Sequence, residues 1–141
     1  MRLSEPDALG RLAESSHGVL STVNPERGVD AVPVVFAVDD GFVGIPVDLV
    51  KPKGSTRLQR ERNLEHDPRA ALLVENWDSE DWSRLWWVRA SVEFDPEPGA
   101  SRSAALARGL ARRYEQYGDQ PFARLIVLRI VGVTGWSGHA G

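Results

Sequence analysis

The tripeptide Asp39-Asp40-Gly41 stands between two apolar runs, residues 29–38 and 42–47. A turn of that composition between strand-like runs closes a tight hairpin, because an Asp-Gly pair tolerates the left-handed backbone that a two-residue loop demands. A second turn precedes it. Asn24-Pro25, ended by Gly28, separates residues 29–38 from a first run made of Val19, Leu20 and Val23 with Ser21 and Thr22. Three consecutive antiparallel strands are therefore expected. Residues 70–77 and 85–94 read as two more, and residues 123–134 as a sixth that is apolar on both faces, as a central or barrel strand is. Six apolar strands leave edges that must be hidden, so the expected fold class is mostly β, a small closed barrel with peripheral helices.

Three helices complete the expected architecture. Ser4 followed by Asp7, with Pro6 in the first turn, predicts a helix over residues 5–14 that turns Leu9 and Leu12 inward. Residues 56–66 place Leu58 and Leu64 on one face and stop at Asp67-Pro68. A third helix, capped by Ser101 or Ser103, carries Leu106, Leu110, Tyr114 and Tyr117 and ends at Gly118. The 141 residues fit one domain spanning 1–141.

Within that frame, residues 44–62 invert the sign of the chain. The protein carries 17 basic and 20 acidic residues, a net charge of −3, yet between Lys51 and Arg62 the cations Lys51, Lys53, Arg57, Arg60 and Arg62 meet only Glu61. A strand that ends in such a loop and passes into a helix suits an anion. Lys51 and Lys53 flank Pro52, and Gly54, Ser55 and Thr56 add backbone and hydroxyl donors at a helix start. The alternative reading is a solvated turn beside an ordinary basic helix face. No GxGxxG or GxxxxGK[ST] loop is present, so a phosphate held here is held by other means.

The second unusual stretch is DWSRLWWVR, residues 81–89, which holds three of the five tryptophans. Neighbours on a strand face opposite ways, so Trp86 and Trp87 share one interior only if the strand is buried on both sides. Trp87 and Arg89 share a face, and an indole beside a guanidinium suits a planar, partly anionic ring. Bulky core or dimer-contact residues are the competing reading.

Catalytic constellations are absent from the sequence. His17, His66 and His139 show no ligand spacing, there is no cysteine, and no protein-held metal is expected. No Ser-His-Asp or paired-carboxylate arrangement can be assembled, so an enzyme of this sequence would draw its reactivity from a bound cofactor. The acidic total argues against nucleic acid and anionic membrane as partners, no apolar run approaches the roughly 20 residues of a membrane span, and a cytoplasmic location is expected.

Four segments in order, HGVLSTVNPE, VDAVPVVFAVDDGFVGIPVD, KPKGSTRLQRERNLEHDPRAALLVENW and DWSRLWWVRASVEF, resemble the pyridoxamine-phosphate-oxidase-like split β-barrels, in particular the branch of oxidoreductases that use the deazaflavin coenzyme F420. The resemblance implies a six-stranded antiparallel split barrel of the FMN-binding type and a homodimer with cofactor sites at the interface. It implies a phosphate site at Lys51, Lys53, Ser55 and Thr56, with Arg57 and Arg60 as additions, and a tricyclic ring along backbone near Pro33, Val34, Ile45, Pro46 and Val47. Trp87, Arg89 and Trp136 of the partner would close the pocket. The implied activity is hydride transfer between F420 and a small organic substrate, with FMN as the alternative cofactor and a non-catalytic, cofactor-sequestering protein as the alternative role. Some relatives are linked to haem or biliverdin. The arginine-containing C-terminal segment by which pyridoxal-phosphate-forming oxidases hold substrate has no counterpart here, so that activity is not expected.

Overall fold

In the computed structural model, which describes residues 1–48, 57–119 and 122–139, seven strands form one antiparallel sheet. They are β1 (Gly18–Asn24), β2 (Gly28–Val34), β3 (Ala37–Asp39), β4 (Phe42–Asp48), β5 (Arg69–Asn76), β6 (Trp86–Phe94) and β7 (Phe122–Ser137). Their order across the sheet is β2-β1-β5-β6-β7-β4-β3. Three helices accompany them, α1 (Glu5–Glu14), α2 (Gln59–His66) and α3 (Ala100–Arg113).

The sequence predicts six strands, and the seventh arises because the run over residues 29–38 is two strands at opposite ends of the sheet. Only Val35 and Phe36 join β2 to β3. Two residues cannot bridge a flat seven-stranded sheet about 30 Å wide at 4.8 Å per strand. The sheet therefore curls until its edges nearly meet, which gives a barrel split between β2 and β3. Phe36 drops fully into the core at this crossing. Its backbone is held from outside: the Tyr114 hydroxyl lies 2.6 Å from the Ser16 carbonyl and 3.0 Å from that of Phe36, and Arg113 reaches the carbonyls of Ser15 and Phe36.

The Asp-Gly hairpin forms as expected. Asp39 pairs with Phe42, and both loop residues adopt positive φ, 47° at Asp40 and 79° at Gly41. Helix α1 has the expected bounds, with the Ser4 side chain accepting from the Asp7 N–H at 3.2 Å, but it buries Ala8 and Leu12 and leaves Leu9 half-buried. Helix α2 starts at Gln59. Helix α3 begins after Gly99, whose φ of 83° only glycine adopts easily, so neither serine caps it. Tyr114 and Tyr117 lie beyond α3.

The barrel interior is filled by Leu20, Leu72, Val88, Val43, Ile45, Ile126 and Leu128, plugged by Leu12 at one end and Leu64 at the other. Each such side chain contributes about 1.5–3 kcal/mol through burial. Strand β4 is covered on both faces. Val43, Ile45 and Val47 point into the core, while α3 lies over Gly44, where an added Cβ would sit 2.9 Å from Cβ of Leu106.

Helix α2 is keyed to the β1–β2 hairpin by a polar network. Fully buried Asn63 donates to Thr22 Oγ1 and Asp30 Oδ2, both at 2.9 Å, and accepts from Gln59. Asn24 and Arg27 also donate to Asp30.

Candidate functional site

The cationic segment predicted to clamp a phosphate leaves β4 and returns in α2. Lys51, Lys53, Ser55 and Thr56 lie outside the described residues. Both approaches to the segment are anchored. On the β4 side, the Tyr117 hydroxyl donates to Asp48 Oδ1 at 2.8 Å, and burial followed by this carboxylate pushes the phenol up to about 12. On the α2 side, Glu61 reaches back to accept from the Leu58 N–H at 3.0 Å, one half of a capping box. Its two oxygens also take a bidentate pair from Arg124 on β7, at 2.6 and 2.7 Å. Burial pushes the Glu61 carboxyl up, but the bonds from Arg124 and Leu58 outweigh it and hold the group below its ordinary value.

The arginines divide. Arg57 is half-exposed and ion-paired to Glu61 at 3.4 Å and Glu65 at 2.7 Å. It lines a cavity of about 380 Å³ with Glu61, Glu65, Asp95 and Arg124, in which three carboxylates outnumber the two guanidiniums. Arg62 donates to the Arg57 carbonyl and to Gln59 Oε1, so it braces the helix surface. Arg60 differs: its Nε is buried and has no hydrogen-bond partner among the described residues. A buried donor left without an acceptor costs about 1–3 kcal/mol, and an anion is the kind of group that would satisfy it.

The ring-contact residues fall into two places. Val34, Ile45 and Val47 belong to the core, and Pro46 is buried on the opposite face of β4, so none of these side chains faces an open surface. Main chain is more accessible. β3 pairs with β4 only as far as Gly44, and beyond it that edge of β4 carries no further strand among the described residues. Pro46, which has no N–H for a ladder, stands in this open stretch.

Pro33, Trp87, Arg89 and Trp136 lie instead on the outer face of the sheet. The register sets Pro33, Val19, Leu73, Arg89 and Thr134 in one row across five strands. Glu75, Trp87 and Trp136 form another row, and Ala31, Ser21, Ala71, Ser91 and Gly132 one between β2 and β7. The Arg89 guanidinium stacks over the Trp87 ring at 5.3 Å. Trp86 faces the other way and packs against the core under Arg11. Around these rows Val19 is 36 % exposed, Leu73 37 %, Trp136 39 % and Val29 66 %.

One chain thus holds the expected site in three separate parts: α2 with its preceding segment, the open edge of β4, and the outer face of β6 and β7. Reading the sequence alone missed the anchors. Glu61 was counted only as the acid opposing five cations, yet its spacing of three from Leu58 at a helix start is a legible signal. Tyr117 was assigned to a helix face, and nothing local announces its bond to Asp48.

No protein-family model matches the chain, and no curated protein matches it. Solved structures do. An FAD-binding protein from Mesorhizobium loti superposes with a TM-score of 0.69 at 15% identity, over 96% of this chain and 93% of that one. A haem-binding protein from Mycobacterium smegmatis gives 0.73 at 20% identity, over all of this chain and 57% of its own, so this chain spans little more than half of that protein. A candidate pyridoxamine 5′-phosphate oxidase from Corynebacterium glutamicum gives 0.58 at 18% identity, over 97% and 98%. With the seven-stranded antiparallel barrel split between β2 and β3, this chain has the pyridoxamine-phosphate-oxidase-like split-barrel fold.

Proposed function

We propose that the protein is an F420-dependent oxidoreductase that works as a homodimer. The observation that carries the reading is Arg60, whose buried Nε has no acceptor among the described residues, on the helix that follows the Lys51 to Thr56 segment. Arg60 would hold a phosphate oxygen together with Lys51, Lys53, Ser55 and Thr56, and the open main chain of β4 at Ile45 to Val47 would meet the ring edge. Such a cofactor, when bound, supplies the hydride that no side-chain constellation in this sequence provides. The protein's own residues bind, orient and exclude water.

The outer face supports the dimer. Exposed Val19, Val29, Leu73 and Trp136 are grouped on this face, among small residues and beside Trp87 and Arg89, and grouped apolar exposure of this kind marks an interaction surface. A second copy covering it would bring Trp87, Arg89 and Trp136 toward the open edge of β4, joining parts that one chain keeps apart.

FMN is the second reading, and a specific observation favours it. F420 carries a long anionic tail that needs cations beyond a phosphate clamp, but of the nearby arginines Arg57 is paired to Glu61 and Glu65, and Arg62 is spent on the helix surface. FMN needs only a phosphate clamp. Multiple-turnover oxidation of reduced F420 by a small quinone separates the roles. Turnover that falls at least ten-fold in Lys51→Ala/Lys53→Ala supports the enzyme. Binding without any turnover leaves a sequestering protein, and turnover unchanged in the double variant removes the phosphate assignment.

A further inference from the structure

At the end of the barrel opposite α2, the structure assigns a second anion site, one for a small carboxylate or phosphate carried on a flat apolar body. A cavity of about 530 Å³ opens there between the chain start, α1, the 3-10 turn Trp82–Arg84 and the end of β7. That volume suits a small organic molecule. Arg2, Arg11, Arg84 and His139 line it against a single carboxylate, Asp7. Among the described residues Arg2 and Arg11 have no ion-pair partner, and Arg84 is only loosely paired, 3.9 Å from Asp78 and 3.8 Å from Asp81. The Asp81 carboxylate is already occupied by the N–H and hydroxyl of Ser83.

Trp86 supplies the flat wall. Its indole is half-buried against the core on one side, and the Arg11 guanidinium lies 5.0 Å from its ring centre. Since the Arg11 guanidinium already stacks over the ring, a flat apolar body would lie beside this stack, against the indole edge, with its anionic group toward Arg11 and Arg84.

The walls are fixed by hydrogen bonds that do not depend on a ligand. Asn76 Nδ2 donates to the Arg84 carbonyl at 3.0 Å, the Gly138 N–H to the Leu85 carbonyl at 2.8 Å, and the Leu3 N–H to the Gly135 carbonyl at 2.9 Å. A site held open in advance binds with less ordering cost. It is also remote from the cofactor segment of the same chain. Arg124, which anchors α2, and Ser137, which borders the cleft, are thirteen residues apart on β7, roughly 40 Å of extended chain. The inference therefore stands whether or not the cofactor reading does.

The test follows the tryptophan indole N–H signals of ¹⁵N-labelled protein while benzoate, phenyl phosphate or neutral benzamide is added. The expected result is a saturable shift of the Trp86 indole with benzoate or phenyl phosphate, a dissociation constant at least ten-fold higher in Arg11→Gln and in Arg84→Gln, and no saturable shift with benzamide. Whichever anion binds more tightly names the head group. The proposal is overturned if neither anion gives a saturable shift of the Trp86 signal, if benzamide binds as well as benzoate, or if both variants keep wild-type affinity. Arg84→Gln alters an exposed turn and keeps the test valid should Arg11→Gln disturb α1.

Discussion

At the scale of single residues, Arg60 sets affinity against stability. Its unsatisfied Nε burdens the protein without ligand, so Arg60→Met should raise the melting temperature of the unliganded protein, or leave it unchanged, while weakening cofactor binding at least ten-fold. Differential scanning calorimetry paired with a binding titration checks both halves. Glu61→Gln should act the other way. Glu61 is 4 % exposed and answers both Arg124 and the Leu58 N–H, so the variant is expected to lose about 1–3 kcal/mol in urea unfolding, as breaking a partly buried pair does. Asp30 gives the pH dependence. Hydrogen bonds from Asn24, Arg27 and Asn63 lower its carboxyl to about 2, below its unfolded value of about 3.9. The stability this confers is fully present above about pH 4 and is lost as pH falls toward 2. Asp67, lowered to about 2 by Arg69, titrates alongside it. Asp30→Asn should therefore flatten part of the acid limb of a stability profile, and an unchanged limb would remove Asp30 from the account. These single-residue roles were the least legible from sequence. Asn63 and Asp30 sit 33 residues apart and meet only because α2 folds back over the hairpin.

Among the elements, β4 shows how far pattern reading reaches. Its apolar run and the Asp-Gly turn before it were legible, because hairpin chemistry is local. That both its faces are covered was not, since α3 arrives from more than fifty residues away to lie on Gly44. Gly44→Ala should force Leu106 to move and cost about 1–3 kcal/mol of unfolding free energy by overpacking, measured in urea. The split of residues 29–38 into β2 and β3 escaped the sequence for a similar reason. Nothing in AVPVVFAV marks a break, and the crossing at Phe36 is imposed by closure of the sheet and by Tyr114 and Arg113 on its outer side. The opposed facing of Trp86 and Trp87, by contrast, follows from strand alternation alone, and the structure shows it.

For the whole molecule, the account depends on a second copy. The proposed dimer would cover the apolar residues of the outer face and bring the Trp87, Arg89 and Trp136 surface of one copy to α2 of the other. Val19→Glu/Leu73→Glu should convert a dimer to a folded monomer in sedimentation equilibrium, with its circular dichroism retained; a wild-type protein that is already monomeric would contradict the arrangement. The fold itself was readable in outline because strands, turns and closure leave repeating traces in sequence, whereas a site assembled from two copies leaves none beyond residues with no partner of their own. The central claim, a redox cofactor held at Arg60 and the segment before it, is tested most directly by equilibrium titration of the wild-type protein with F420, FMN and haem in parallel, followed by tryptophan quenching. The account predicts saturable one-per-subunit binding of F420, with FMN the weaker ligand. Haem binding alone, or no saturable binding of either phosphate-bearing cofactor, would contradict it.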